Sequence, residues 1–395
     1  MAVTDVSELR KRREKKRTRN MLIKAFVVIL ICGIAVVAVV TRNSWLPAFQ
    51  GILSRIPAAT DQDYSQTDTV SGSFLISIDG GSDYQMRAMG DCIALLDDSK
   101  FHVYSATGSV MYETQHTYAN PILAVNSSKA LVYDLGGTDF SLEGKYKNVY
   151  EKTANNVILR AELSSKDYVA VVTKSENLLS MLKVYDGKGT EVFRYSSFDG
   201  RIIDGAFNSD SSGCVLTVIG AQDGELISQM IRFDFSDTSV QWESEPISAI
   251  ALDVIFTQDG SVMLIGDTMS ALYTADGILQ ASYTYSDTIV DYSTEDDLAA
   301  VITTNTAKRK TEMILITPEN ITNPIVIELD YNTEKVYCEG GQAHILNDEG
   351  VCTYDSAGQP VASASLEDDY EDICRIKGYL YLLGYDSVSC MDYAS

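Results

Sequence analysis

The stretch that decides the fold runs from Asp253 to Tyr285 and reads DVIFTQDGSVMLIGDTMSALYTADGILQASYTY. It parts at its turns into DVIFT, SVMLIGD, SALYTA and ILQASYTY. Gln258-Asp259-Gly260 separates the first two, and Asp276-Gly277 the last two. An Asp-Gly pair between β-branched, apolar or aromatic runs is a hairpin signal, because glycine reaches the positive φ that a tight turn needs. The stretch therefore predicts four short antiparallel strands.

Working outward, the second strand of this unit recurs along the chain. CIALLDD starts at Cys92, ALVYDLG at Ala130, YVAVVTK at Tyr168 and CVLTVIG at Cys214. SVMLIGD at Ser261, LAAVITT at Leu298, QAHILND at Gln342 and YLYLLGY at Tyr379 follow. The mean spacing is 41 residues, and four strands at that period define a propeller blade. The eighth unit stops one strand short, at EDICRIK, YLYLLGY and SVSCMDY. Ser73–Asp79 supplies one strand more than the first unit uses. The expectation is an all-β, eight-bladed propeller over residues 73–395, its ring closed by the strand at 73–79. Seven blades is the alternative, because the unit at 130–154 is compact and poorly bounded.

The N-terminus has a different composition. Residues 1–20 are a basic tail containing RKRREKKR. Residues 21–41 hold the uninterrupted apolar run AFVVILICGIAVVAVV from Ala25 to Val40. Such a run is long enough to cross ~30 Å of hydrocarbon as a helix. Nine Lys/Arg precede the middle of the run and one, Arg42, follows it at once, which puts the N-terminus in the cytoplasm. The expectation is an uncleaved signal anchor, single-pass in the cell membrane, with the propeller extracellular. In residues 42–72, Trp45, Leu46, Phe49, Ile52, Leu53 and Ile56 share one helical face, and a polar linker follows.

Net charge is −24, yet residues 1–24 carry nine Lys/Arg against three Asp/Glu, so the rest of the chain carries −30. An acidic body of that size argues against nucleic acid as a partner and favours cationic ones.

The turns FTQDGSVMLI and VYDGKGTEV resemble the repeats of WD40-like and quinoprotein-like (PQQ-type) propellers. The layout of basic tail, single span and acidic propeller is similar to uncharacterised membrane-anchored propeller proteins of Gram-positive bacteria. The Gly-His and Trp-Asp pairs of WD40 repeats are missing. Only Trp45 and Trp242 are present, so the regular tryptophan docking of quinoprotein enzymes is absent, and with it the basis for expecting their cofactor.

Chemistry-bearing residues are sparse. His102, His116 and His344 fall in different blades without metal-ligand spacing. Cys338 and Cys352, like Cys374 and Cys390, fall on first and third strands of one blade. Those strands lie about 9–10 Å apart, too far for a disulfide, so these residues read as free thiols. Asp204, Asp253, Asp291 and Asp372 recur in first strands, which line the channel of a propeller. Two readings apply: a carboxylate ring at the channel mouth that attracts a basic ligand or calcium, or carboxylates that accept hydrogen bonds from nearby backbone. With no catalytic motif in view, the expected function is a binding or scaffolding module for a protein or cell-envelope ligand. The alternative is a carboxylate-dependent hydrolase or lyase acting on an envelope polysaccharide.

Overall fold

In a computed structural model, residues 74–80, 83–175, 178–237, 239–366 and 368–393 are described. They form eight four-stranded antiparallel sheets. Seven take their strands in chain order, with the first innermost. The fifth, for example, is Ala251–Phe256, Val262–Gly266, Met269–Tyr273 and Leu279–Thr284. The eighth is built from both ends of the chain: Asp372–Ile376, Tyr379–Leu383 and Ser387–Asp392 are completed by Leu75–Ser77. Leu75 pairs with Ser389, Ile76 with Val388 and Ser77 with Ser387. The seven-blade alternative fails because Pro121–Val125, Lys129–Asp134, Asp139–Gly144 and Asn148–Thr153 form a complete sheet of their own. The basic tail, the apolar span and the juxtamembrane segment of residues 1–72 lie outside the described residues. Among the described residues no helix is long and apolar enough to cross a membrane.

Sequence pattern and burial agree strand by strand. Second strands such as Cys92–Leu96, Val169–Thr173 and Val262–Gly266 are buried at every position, because both faces pack against neighbouring blades. Fourth strands such as Leu279–Thr284 and Pro360–Ser365 alternate, with one face toward water. Eight apolar clusters fill the eight junctions between blades. The closing junction is packed like the rest: Ile76 and Val388 meet Met86, Ile93, Leu95, Cys374 and Tyr381, and the Tyr381 hydroxyl donates to Ala106 O at 2.9 Å.

The turn glycines also let neighbouring blades approach. Gly277 has φ +80°, and a Cβ there would fall 2.5 Å from the Trp242 ring of the preceding blade's outer strand. Trp242 Nε1 donates to Ala275 O in the same turn, at 2.8 Å. Gly108, with φ +80°, receives the ring of Phe74, next to the closing strand, in the same manner. The N-terminal strand thus docks on its neighbour as an ordinary outer strand does.

Candidate functional site in the channel wall

Each inner strand presents one edge to the preceding blade, and its backbone N–H groups there need acceptors. Side chains of the preceding blade supply them. Asp291 Oδ2 accepts from Val336 N (2.9 Å), Ser293 Oγ from Cys338 N (2.8 Å) and Glu295 Oε2 from Gly341 N (3.0 Å). Glu339 Oε2 accepts from Arg375 N at 2.9 Å, and Asp372 Oδ2 from Met86 N at 3.3 Å. Gln85 Oε1 accepts from Leu123 N at 2.9 Å. Asp291, Ser293 and Glu295 stand at alternate positions of one strand, so one face of Thr288–Glu295 serves three donors of its neighbour.

The inner strands of blades three to six each carry a bulge. It lies directly before Arg160, Asp204, Asp253 and Asp291, and a bulge of this kind re-aims the side chain that follows it. The four aspartates singled out in the sequence then divide between two regions. Asp291 and Asp372 line a cavity of about 790 Å³ with Tyr84, Arg87, Lys335 and Tyr337. Asp372 is ion-paired with Arg87 at 2.7 Å. Asp253 lines a second cavity, of about 490 Å³, with Arg160 and Glu162. Asp204 is buried beside it, at 2% exposure.

Arg160 and Glu162 are the residues that sequence reading missed. Arg160 Nε lies 2.7 Å from Glu162 Oε1 and 2.6 Å from Asp204 Oδ1. Asp253 Oδ2 accepts from the Thr294 hydroxyl at 2.6 Å, and its Oδ1 from Val254 N at 2.9 Å. Burial, and then the charge of Asp253, push the Asp204 carboxyl well above its ordinary range. Burial raises Asp253 and Glu162 as well. In the larger cavity, burial pushes Glu339 up to about 7.

The histidines are woven into the fold. His344 is 1% exposed, its Nδ1 lies 2.7 Å from the Thr353 hydroxyl, and burial pulls it down to about 4. His116 Nε2 lies 3.1 Å from Asp97 O. His102 sits between Asp97 and Glu113, at 3.7 and 3.4 Å, and burial lowers it. Cys92, Cys214, Cys338, Cys352, Cys374 and Cys390 are free thiols. Among the described residues, no three His, Cys, Asp or Glu side chains are grouped to hold a metal ion.

A closed ring of eight four-stranded blades around a polar channel is the β-propeller fold. The chain belongs to a family described as "Family of unknown function (DUF5711)", whose model matches residues 61–391. No curated protein matches it significantly in sequence. Among solved structures it is similar to BamB from Moraxella catarrhalis (TM-score 0.53, 14% identity, 81% of this chain and 100% of that one). It is similar to the C-terminal WD40 domain of Sif2 (TM-score 0.59, 11% identity, 82% and 99%). It is also similar to a quinohemoprotein alcohol dehydrogenase from Pseudomonas putida (TM-score 0.54, 9% identity, 79% and 72%). At these identities the likeness is one of fold.

Proposed function

We propose that the protein is a binding module held on the outer side of the cell membrane, with the channel face of the propeller as its recognition surface. The observation that carries this reading is the employment of the channel carboxylates. Asp291, Glu295, Glu339 and Asp372 each accept a backbone N–H of the next blade, so they build a rigid wall around the 790 Å³ cavity. A hydrolase or lyase needs a pair of carboxyl groups free to exchange protons at a set separation, and this employment weighs against it. What faces the cavity is mixed: Tyr84 and Tyr337 offer aromatic surface, Arg87 and Lys335 positive charge, and Glu334 and Glu371 negative charge. Aromatic and arginine side chains are the groups that anchor protein interfaces. The ligand is a protein or an envelope component with both charged and apolar parts.

Membrane attachment rests on the apolar run Ala25–Val40 and on the Lys/Arg bias before it. Protease added to intact protoplasts should digest the chain beyond residue 43 and leave a protected N-terminal fragment. Full protection of the propeller there, with digestion after lysis, would overturn the location. Binding at the channel face is tested by crosslinking from that face in intact cells: adducts formed from Tyr84 or Glu334 support it, and a channel face that traps nothing contradicts it.

A further inference from the structure

The junction between the first and second blades is packed differently from the others. Elsewhere the third strand of the following blade turns apolar side chains toward the preceding one, as Tyr104, Tyr185, Phe233, Tyr273 and Ile314 do. Asp139–Gly144 sends Phe140 and Leu142 into the junction with the third blade. It adds no residue to the apolar cluster shared with the first. On that side it presents Asp139, Ser141 and Glu143, at alternate positions. Where the other junctions are packed, this one holds a cavity of about 430 Å³. Small-ligand sites span about 300–1,000 Å³.

The lining is apolar on one side and hydrogen-bonding on the other. Phe101, Val132 and the Tyr118 ring supply the apolar part, and His116 stacks on Tyr118 with ring centres 4.9 Å apart. Glu143, 3% exposed, is fixed from two directions. Its Oε2 accepts from the Tyr112 hydroxyl at 3.2 Å and its Oε1 from Asn148 Nδ2 at 2.9 Å. Each oxygen keeps a further acceptor site. The Ser141 and Tyr118 hydroxyls, 6% and 8% exposed, lie within hydrogen-bonding reach of each other. One hydrogen bond forms between them, so one O–H of the pair lacks an acceptor among the described residues. Asp139 and Glu151 complete the charged lining, which contains no Lys or Arg. Burial lowers His116 and keeps it neutral at neutral pH.

These groups select a ligand by elimination. Three carboxylates repel an anion. A simple cation answers the carboxylates but brings no acceptor for the spare O–H, and among the described residues no three acidic groups gather to hold a metal ion. A hydroxyl is donor and acceptor at once. A sugar ring carries several, around a C–H face that packs on apolar surface. We propose that this cavity binds the pyranose ring of a neutral sugar, either free or as a unit of a polysaccharide. Ring hydroxyls donate to Glu143 and Asp139 and accept from the Ser141–Tyr118 pair. The site goes beyond the channel reading and shares no lining residue with the channel cavity, so the two can fail separately.

The test is ligand-observed saturation-transfer NMR on the full-length protein, in a detergent without sugar headgroups. The probes are glucose, galactose, mannose, N-acetylglucosamine and chitotetraose, with glucuronic acid and spermidine as charge controls. The expected result is binding of at least one neutral sugar, weakened at least about five-fold by Glu143→Gln and by Ser141→Val. A response to a monosaccharide assigns a free sugar, and a response to chitotetraose alone assigns a polysaccharide unit. If one variant does not fold, the other carries the comparison. The proposal is overturned if no neutral sugar binds the folded protein at about 10 mM, or if the folded variants bind as the parent does. Glucuronic acid binding as tightly as the neutral sugars, or spermidine alone binding, overturns it as well.

Discussion

Asp291 exemplifies how the channel residues work, and its role can be measured. Its carboxylate holds the Val336 N–H. Asn keeps an acceptor oxygen there and Ala does not. Asp291→Ala should therefore cost about 1–3 kcal/mol in denaturant unfolding, the penalty for an unsatisfied buried donor, and Asp291→Asn much less. Equal losses would mean that charge, not hydrogen bonding, is what matters. Glu339 makes a prediction in pH. Burial lifts its carboxyl to about 7 in the folded state, against an ordinary 4.5. The folded form thus holds the proton more tightly than the unfolded chain. The stability this adds is full below about 4.5 and is lost as pH rises through about 7. Glu339→Gln should flatten the fall in stability across that window, read by chemical unfolding at a series of pH values; an unchanged slope would contradict the assignment. At this scale the sequence was partly legible. First-strand aspartates stood out because they recur at one place in the repeat. Arg160 and Glu162 did not, because ILRAEL reads as an ordinary strand. The bulge that aligns Arg160 with those aspartates leaves no mark in composition.

At the scale of the element, the closing strand is the sharpest case. Three residues pair with Ser387–Asp392, and Ile76 alone among them is buried. Ile76→Ala should cost about 2–5 kcal/mol, as truncation of a buried isoleucine does. Leu75→Ala, at a side chain 62% exposed, should stay within about 0.5 kcal/mol. Similar thermal shifts for the two would mean that the strand contributes pairing but no packing. Gly277→Ala should also destabilise, by about 1–3 kcal/mol, because it adds a positive-φ penalty to the clash with Trp242; replacing Trp242 by Ala as well should relieve part of that loss. Asp-Gly turns were readable because hairpin geometry is local. That the same glycines accept a side chain of the preceding blade was not readable, since that contact joins residues one repeat apart, as Trp242 and Gly277 are.

For the whole molecule, the period of the second strands was sufficient to count blades, because each blade buries both faces of that strand and must repeat its apolar run. The channel was not legible in the same way. Its character depends on which inner-strand side chains are spent on the next blade's backbone and which face the cavity, and that follows from register across blades. The proposed meeting of propeller and ligand at the channel face can be tested directly. The most direct measurement places a photo-crosslinking residue at Tyr84 or Glu334, which line the 790 Å³ cavity, and at Val110 or Val361 on outer strands, which are 59% and 37% exposed. All four variants are irradiated in intact cells. The account predicts a discrete adduct from the channel positions and none from the rim. Adducts from the rim alone, or none from any position in folded protein, would contradict it.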